Sequence, residues 1–264
     1  MNILCGLPQW AEWKINLSKL PYKFYFNDLS NIKVILEIIN KYNIDVIIPI
    51  TLKQMEFVIK NNDKLINNVK KIICNIKMDP INILDNKYEF YQQFSKYVPQ
   101  VFITQNQNIK KVLKNPSYPC IFKLSKGFGG NGSFVIKTDQ ELEKVKSSSD
   151  YVIQEYITSP DEYGGNFYVE NGIIKFFVYY KMTNHKQYHI QRGKLEKYIR
   201  ITDNNWNDTF SEIFKQINYT GFACANFKLI DGKPVIFEIN PRLGGTIVCT
   251  NEEDLEKIIN SSLL

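Results

Sequence analysis

Short apolar runs alternate with helix-like stretches through the first 80 residues. The runs 2–5, 22–26, 45–50 and 71–74 have the length and composition of buried strands, and 32–42 carries apolar residues at helical spacing. Strands that alternate with helices usually form a parallel sheet covered by helices. The pattern therefore predicts an α/β unit at the N-terminus. Asp79-Pro80 is predicted to interrupt it, and Asp85 to act as the N-cap of a helix over 86–94.

The pattern becomes β-rich after Pro119. Strands are predicted over 120–125, 133–138 and 151–157, with a helix over 139–146, which together make a small α+β unit. Two hairpins are predicted further on, because Asn171-Gly172 and Asp231-Gly232 favour tight turns. The first hairpin joins 162–170 to 173–181, the second joins 222–230 to 234–239, and helices are predicted over 208–217 and 252–260.

Composition narrows the class of protein. The 264 residues are 44% hydrophobic, and 33 Lys and Arg against 27 Asp and Glu give a net charge of +6, without a block of basic residues. This mild charge suits an anionic ligand and does not favour nucleic acid. No apolar run is long enough to span a membrane, and the N-terminus lacks a basic leader, so we expect a soluble cytoplasmic protein. The five widely spaced cysteines are expected to be reduced core thiols.

A glycine-rich segment follows the strand that carries Lys123. Its backbone can approach phosphate closely, but no Gly-Lys-Ser/Thr follows as in a Walker A loop, and an ordinary hairpin turn remains the alternative. Lys123 itself lies in an apolar strand, where it needs a partner or a ligand, or else is a solvated edge residue. The cationic and glycine residues of the segment are Lys126, Gly127, Gly129, Gly130 and Gly132.

A second polar group ends the last predicted strand. Glu238 and Asn240 are two residues apart, so both can present oxygens to a cation such as Mg²⁺ from one face of the strand. Arg242 follows Pro241 and can reach phosphate with its planar fork. Asn226 on the preceding strand of the hairpin is expected to be their neighbour across the strand pair. The alternatives are a simple turn at Asn240-Pro241 and an exposed carboxylate at Glu238.

Taken together, these motifs resemble the ATP-grasp superfamily, and most closely the branch of biotin carboxylase and the carbamoyl-phosphate synthetase large chain. The resemblance covers nearly the whole chain. It implies an N-terminal parallel α/β domain over 1–84, a helical connection over 85–118, a small α+β lid over 119–157 and a C-terminal antiparallel-sheet domain over 158–264. The chain would be a minimal version, since it ends one predicted helix after the Asn-Pro-Arg segment.

The resemblance also implies roles for individual residues. Lys87 and Lys123 would hold the phosphates of ATP, under a flap over 126–133. Gln154 would bind the adenine through its side chain, and Glu155 and Ile157 through their backbones, while Glu162 would take the ribose hydroxyls. The metal ligands for Mg²⁺, with Mn²⁺ as the alternative, would be Glu238, Asn240 and Asn226. The last replaces the usual glutamate or glutamine, and Arg242 would contact the reacting phosphoryl group.

By this resemblance the expected activity is an ATP-dependent carboxylate–amine ligase that acts through an acyl phosphate. Its partners would be a small-molecule carboxylate and an amine, with a homodimer as the expected assembly by analogy. A small-molecule kinase and a non-catalytic ATP-binding module are the alternatives.

Two further features invite a functional interpretation. His185 and His189 are four residues apart, but their polar and aromatic surroundings favour a loop or strand over a metal site. The basic stretch 188–200, with Arg192, Lys194, Lys197 and Arg200, is either an exposed connection or a cationic wall that faces an anionic substrate.

Overall fold

The computed structural model describes residues 1–104, 118–127, 130–145, 150–183, 198–202 and 206–264. These residues build three sheets, one from each of the regions that the sequence pattern separates. Gly129, both histidines and most of the basic stretch 188–200 lie outside the described residues. None of the helices that the structure describes is long and apolar enough to cross a membrane.

The N-terminal sheet is parallel, with strand order β2-β1-β3-β4, as the alternating pattern predicts. Successive side chains of β1 face opposite sides of the sheet. Ile3 and Cys5 pack in one core with Trp13, whereas Leu4 packs in another with Ile35. The strands are β1 (Asn2–Gly6), β2 (Lys23–Asn27), β3 (Val46–Ile48) and β4 (Lys71–Ile72), and the helices are α1 (Ala11–Leu17), α2 (Ile32–Tyr42), α3 (Leu52–Lys60) and α4 (Asn62–Leu65).

The connection to the second sheet differs from the sequence prediction. Asp79-Pro80 does not interrupt the structure, because both residues lie in the first turn of α5 (Met78–Asp85), where a proline removes no intrahelical hydrogen bond. Asp85 is therefore not an N-cap. Asn86 caps α6 (Lys87–Gln93), and its side-chain oxygen accepts a hydrogen bond from the Tyr88 N–H at 3.0 Å. A short 3₁₀ turn, Ser95–Tyr97, follows.

The second sheet contains the strands predicted after Pro119 and one more, 101–104, which comes from the connection over 85–118 that was predicted to be helical. Its strand order is β5-β8-β6-β7, with antiparallel pairing, and Phe122 and Ile153 pack in its own core. Thr138 caps its helix, accepting a hydrogen bond from the Glu141 N–H at 3.2 Å. The elements are β5 (Val101–Thr104), β6 (Cys120–Leu124), β7 (Phe134–Ile136), α7 (Asp139–Glu143) and β8 (Tyr151–Glu155).

The third sheet is antiparallel, with strand order β11-β10-β9-β12-β13. Both predicted hairpin turns are present: Asn171 and Gly172 have φ of 50° and 77°, and Asp231 and Gly232 have φ of 51° and 75°. The elements are β9 (Asp161–Glu170), β10 (Ile173–Thr183), β11 (Ile199–Ile201), α8 (Asn207–Gln216), β12 (Gly221–Ile230), β13 (Lys233–Asn240), α9 (Gly245–Thr250) and α10 (Glu252–Leu263).

One face of this third sheet packs on α8 through aromatic residues such as Phe167, Phe210 and Phe227. The other face is polar where β9, β12 and β13 run side by side. This polar face forms the floor of a cleft whose roof is the second sheet.

Candidate active site

The cleft has a volume of about 700 Å³ and is lined by all three regions of the fold. It gathers most of the predicted site residues, although they are far apart in the sequence. Lys126 and Gly132 do not line it. Those that do are Lys87, Lys123, Gly127, Gly130, Gln154, Glu155, Ile157, Glu162, Asn226, Glu238, Asn240 and Arg242.

Lys87 joins three segments at the centre of the cleft. Its side chain is 8% exposed, and its ammonium lies 3.0 Å from the Glu238 carboxylate and donates to the Gly127 carbonyl at 3.2 Å. Its backbone N–H donates to the Ser125 carbonyl at 2.9 Å. The start of α6 is thereby fixed to the glycine-rich segment and to β13.

Lys123 enters the cleft from β6, on the opposite face from Phe122, which packs in the core of the second sheet. Its ammonium lies 4.7 Å from the centre of the Phe237 ring. Burial lowers the pKa of Lys123 to about 8, since the attraction of Glu238 offsets only part of the desolvation and the charge of Lys87 adds to it. A phosphate group bound to this ammonium would compensate for its desolvation.

Glu238 is the carboxylate around which these cations are arranged. Burial alone would raise its pKa, but the charges of Lys87 and Lys123 outweigh burial and lower the pKa below its ordinary value. Asn240 donates to the Glu238 carboxylate at 3.4 Å, and the Arg242 guanidinium approaches the Asn240 side-chain oxygen at 3.5 Å. The three polar residues therefore form one continuous group at the end of β13.

Strand register places the polar residues of the floor in rows. Asn226 on β12 lies opposite Glu238 on β13 and Gly164 on β9, and Cys224 lies opposite Asn240 in the next row. Asn226 donates to Glu162 at 3.2 Å. Burial raises the pKa of Glu162, which Asn226 and two nearby lysines only partly counteract.

The hinge over 154–157 bounds one end of the cleft. Gln154 is 1% exposed, and its side-chain carbonyl oxygen has no hydrogen-bond partner among the described residues. The Glu155 N–H donates to the Gln100 carbonyl at 2.8 Å, and the Ile157 carbonyl accepts from the Lys228 ammonium at 2.7 Å. Apolar side chains, including Ile121 and Leu124, line the cleft beside them.

The glycine-rich segment, 126–133, lines the cleft at four described residues, Gly127, Gly130, Asn131 and Ser133. Gly130 and Gly132 have φ of 70° and 71°, a conformation that side chains rarely adopt. Lys126 is exposed, but its charge still acts on Asp85: burial raises the pKa of that carboxyl, and Lys87 and Lys126 oppose the shift.

Arg200 is the one predicted cation of the basic stretch that the structure describes. It does not line the cleft. Its guanidinium Nε lies 2.8 Å from the Asp254 carboxylate, which also accepts from the Tyr180 hydroxyl at 2.7 Å. Arg200 thus joins β11 to α10 instead of facing the cleft.

Two residues of the floor were not predicted from the sequence. Lys228 and Asn166 both line the cleft and are 7% and 1% exposed. Neither side-chain polar atom of Asn166 has a hydrogen-bond partner among the described residues. The signal for Lys228 was available, because Cys224, Asn226 and Lys228 occupy alternate positions between apolar residues of one strand.

Comparison with known proteins identifies the architecture. A family model described as an ATP-grasp domain matches residues 84–246. An uncharacterized protein of Methanocaldococcus jannaschii is 27% identical over 178 residues, which is 63% of this chain and 42% of the relative. The chain therefore spans less than half the length of that relative.

Three solved structures of similar fold are named enzymes, two of them in complex with a nucleotide. D-alanine–D-alanine ligase from Bacillus anthracis complexed with ATP superimposes with a TM-score of 0.64 at 16% identity, covering 100% of this chain and 97% of its own. L-amino acid ligase from Bacillus licheniformis gives 0.64 at 14%, covering 99% and 74%, and a biotin carboxylase–ATP-analogue complex from Campylobacter jejuni gives 0.60 at 17%, covering 98% and 65%.

At such low identities these structures show a shared fold. The family model covers more than half of the sequence, from the end of α5 to the start of α9. The matched region includes Lys87, Lys123 and the whole Glu238-to-Arg242 group. The chain belongs to the ATP-grasp domain family.

Proposed function

We propose that this chain is an ATP-dependent carboxylate–amine ligase. The observation that carries the proposal is that Lys87 and Lys123 act on the charge of Glu238 in one cleft, which Arg242 also lines beside Asn240. Phosphoryl transfer depends mainly on positioning and on stabilisation of charge that spreads over the transferred oxygens. Three cations beside an ionised carboxylate supply both, without a protein nucleophile.

The hinge end of the cleft suits an adenine base. Its apolar lining can cover a flat ring, and the Gln154 oxygen without a partner needs a donor such as the adenine 6-amino group. The Glu155 carbonyl and the Ile157 N–H would complete an acceptor–donor pair for the 6-amino group and N1. Glu162 lies on β9 two residues from Gly164, which is opposite Asn226, and would accept hydrogen bonds from the ribose hydroxyls.

The residues present fit a magnesium ion that shares its coordination with substrate phosphates. Glu238 is the ionised carboxylate of the site, and the amides of Asn240 and Asn226 add hard oxygens. Mg²⁺ is commonly held by one or two carboxylates together with phosphates, and no group of three or more acidic, cysteine or histidine residues that could hold a metal occurs in the described part of the chain. Bound there, the ion would neutralise phosphate charge. Mn²⁺ is the alternative ion.

The reaction would take place in two steps. A substrate carboxylate oxygen attacks the γ-phosphorus, the bond to the β-phosphate oxygen breaks, and ADP leaves an acyl phosphate. An amine nitrogen then attacks the acyl carbon, inorganic phosphate leaves, and the amine proton passes to solvent. Lys123 and Lys87 would hold the phosphates throughout, and Arg242 the transferred group. The glycine-rich segment would exclude water, which would otherwise hydrolyse the acyl phosphate.

The test is a screen for ADP release over carboxylates crossed with amines, followed by Glu238→Gln in the productive pair. We expect this variant to lose at least about 100-fold in kcat/KM, because removing one electrostatic contribution to phosphoryl transfer has effects of this size. Glu170→Gln is the matched control: Glu170 also pairs with a lysine, Lys71 at 2.9 Å, but does not line the cleft. Full activity of Glu238→Gln would contradict the proposal.

Product masses separate ligation from its alternatives. An amide-linked product supports the ligase, and a stable phosphoester indicates a kinase. Tight binding of ATP without turnover across the whole panel indicates a binding module.

A further inference from the structure

Lys228 has no role in the reaction described above, yet it lies on the floor of the same cleft. It is two residues from Asn226 on β12 and therefore points to the same face of the sheet. Its position is on the hinge side of Asn226, because its ammonium binds the Ile157 carbonyl at 2.7 Å. Lys228 thus lies at the end of the cleft proposed for the base.

The surroundings of Lys228 are unusual for a lysine. The residue is 7% exposed, and its ammonium lies 5.3 Å from the centre of the Tyr156 ring. Among the described residues, no carboxylate lies within ion-pair distance of it, although Glu162 is near enough to act on its pKa. A buried ammonium without an ion pair is costly, which is a reason to look for a function.

The hydrogen-bonding capacity of Lys228 is only partly used. An ammonium has three N–H donors, and the one hydrogen bond that Lys228 makes within the described part of the chain goes to the Ile157 carbonyl. The ammonium is therefore held next to the backbone of Ile157, the residue whose N–H is proposed to bind the base. This part of the hinge consequently offers donors to a ligand, whereas the Gln154 oxygen offers an acceptor.

We propose that Lys228 is a nucleotide-selecting residue, which donates to the acceptor edge of adenine next to Ile157 and rejects purines that carry a donor there. The inference rests on the proposed function, since it assumes that the hinge binds the base of a nucleotide. Adenine presents N1 and N3 acceptors on this edge. Guanine keeps the N3 acceptor, but its N1 carries a proton and its C2 an amino group, and these two donors would face the ammonium and the Ile157 N–H.

A 2-amino analogue of ATP isolates this contact. The 2,6-diaminopurine ribonucleoside triphosphate keeps the 6-amino group, N1 and the triphosphate, and adds only the 2-amino group. Binding of both nucleotides with Mg²⁺ is measured by calorimetry, so no carboxylate or amine substrate is required. We expect the wild-type chain to bind ATP at least about tenfold more tightly than the 2-amino analogue, the size expected for one charge-assisted hydrogen bond.

The decisive variant is Lys228→Met, which keeps the length of the side chain and removes its donors. We expect its ATP affinity to fall about tenfold and its preference for ATP over the analogue to fall below about threefold. Lys233→Met, at an exposed position in the same hairpin, should retain wild-type values. Lys228→Gln provides the same comparison if the methionine variant does not fold, because a neutral amide lacks the charge.

The outcomes are distinguishable. An unchanged preference in folded Lys228→Met, or a wild-type chain that binds both nucleotides equally, would overturn the role of Lys228 while leaving the ligase proposal intact. Failure of the wild-type chain to bind ATP at all would overturn the proposed function itself.

Discussion

Replacing Lys123 with methionine should stabilise the protein while it abolishes nucleotide binding. The cause is the burial of the ammonium, which lowers the pKa from 10.5 to about 8. Each pK unit corresponds to about 1.4 kcal/mol, so keeping this group charged at pH 7 costs about 3 kcal/mol. That figure already includes the attraction of Glu238, because the same charge acts on the pKa.

The net effect of Lys123→Met is smaller than this cost. The contact between the ammonium and the Phe237 ring is lost, and such contacts contribute about 0.5–2 kcal/mol. We therefore expect the free energy of unfolding to rise by about 1–3 kcal/mol at pH 7. Denaturant unfolding measures this change directly. Lys175→Met, at an exposed position on β10, is the control and should change stability by less than about 0.5 kcal/mol.

The pH dependence provides a second measurement. Because the pKa of Lys123 is lower in the folded state, its side chain binds more protons in the unfolded chain between about pH 8 and 10.5, and the contribution of Lys123 to wild-type stability rises with pH across that window. The advantage of Lys123→Met should then be constant below pH 8 and shrink toward pH 10.5. A variant that is less stable than wild type at every pH, or an advantage independent of pH, would refute the reasoning.

Two other predictions concern packing. Gly244→Ala should destabilise the fold by at least about 2 kcal/mol, because its Cβ would lie 2.2 Å from the buried Asn166 side chain. Gly232→Ala is the control: its Cβ meets nothing within 4 Å, so it should cost only the roughly 1 kcal/mol of its positive φ. Equal losses of stability in denaturant unfolding would exclude the clash. Asp254→Ala should cost about 1–3 kcal/mol, because the buried Tyr180 hydroxyl loses its acceptor, whereas the Arg200 side chain is 42% exposed and returns to water. Unchanged stability in denaturant unfolding would contradict this expectation.

The sequence predicted elements with strong local signals. Both hairpins follow from an Asn-Gly and an Asp-Gly pair, and α2 coincides with its predicted bounds because its apolar residues repeat at helical spacing. Helices α1 and α9 were not predicted. Trp10 gives α1 no side-chain cap, and α9 consists largely of glycine, threonine and β-branched residues, which are weak helix formers. Their stability comes from packing, with Trp13 of α1 lying against Gly245 of α9.

The residues of the site likewise divide into those with a local sequence signal and those that only the fold brings together. The motifs around Lys123 and Glu238 could be found in the sequence, because a charged residue in an apolar strand and an acid–amide pair are local signals. The ion pair between Lys87 and Glu238 joins residues about 150 positions apart, which no local pattern reveals. Lys228 could have been found from its alternation with Asn226, but its contact with the Ile157 carbonyl could not, because that contact depends on the hinge lying against β12.

If the chain has the proposed function, the position of Lys87 links its affinities for metal and nucleotide. Its ammonium already binds the Glu238 carboxylate, so a phosphate competes with that carboxylate for Lys87, and a cation on Glu238 reduces the competition. Each ligand therefore favours the other, and by thermodynamic reciprocity both affinities change by the same factor. This cooperativity would be additional to direct chelation, and through a single lysine the affinity of the chain for ATP would depend on the local concentration of divalent ions.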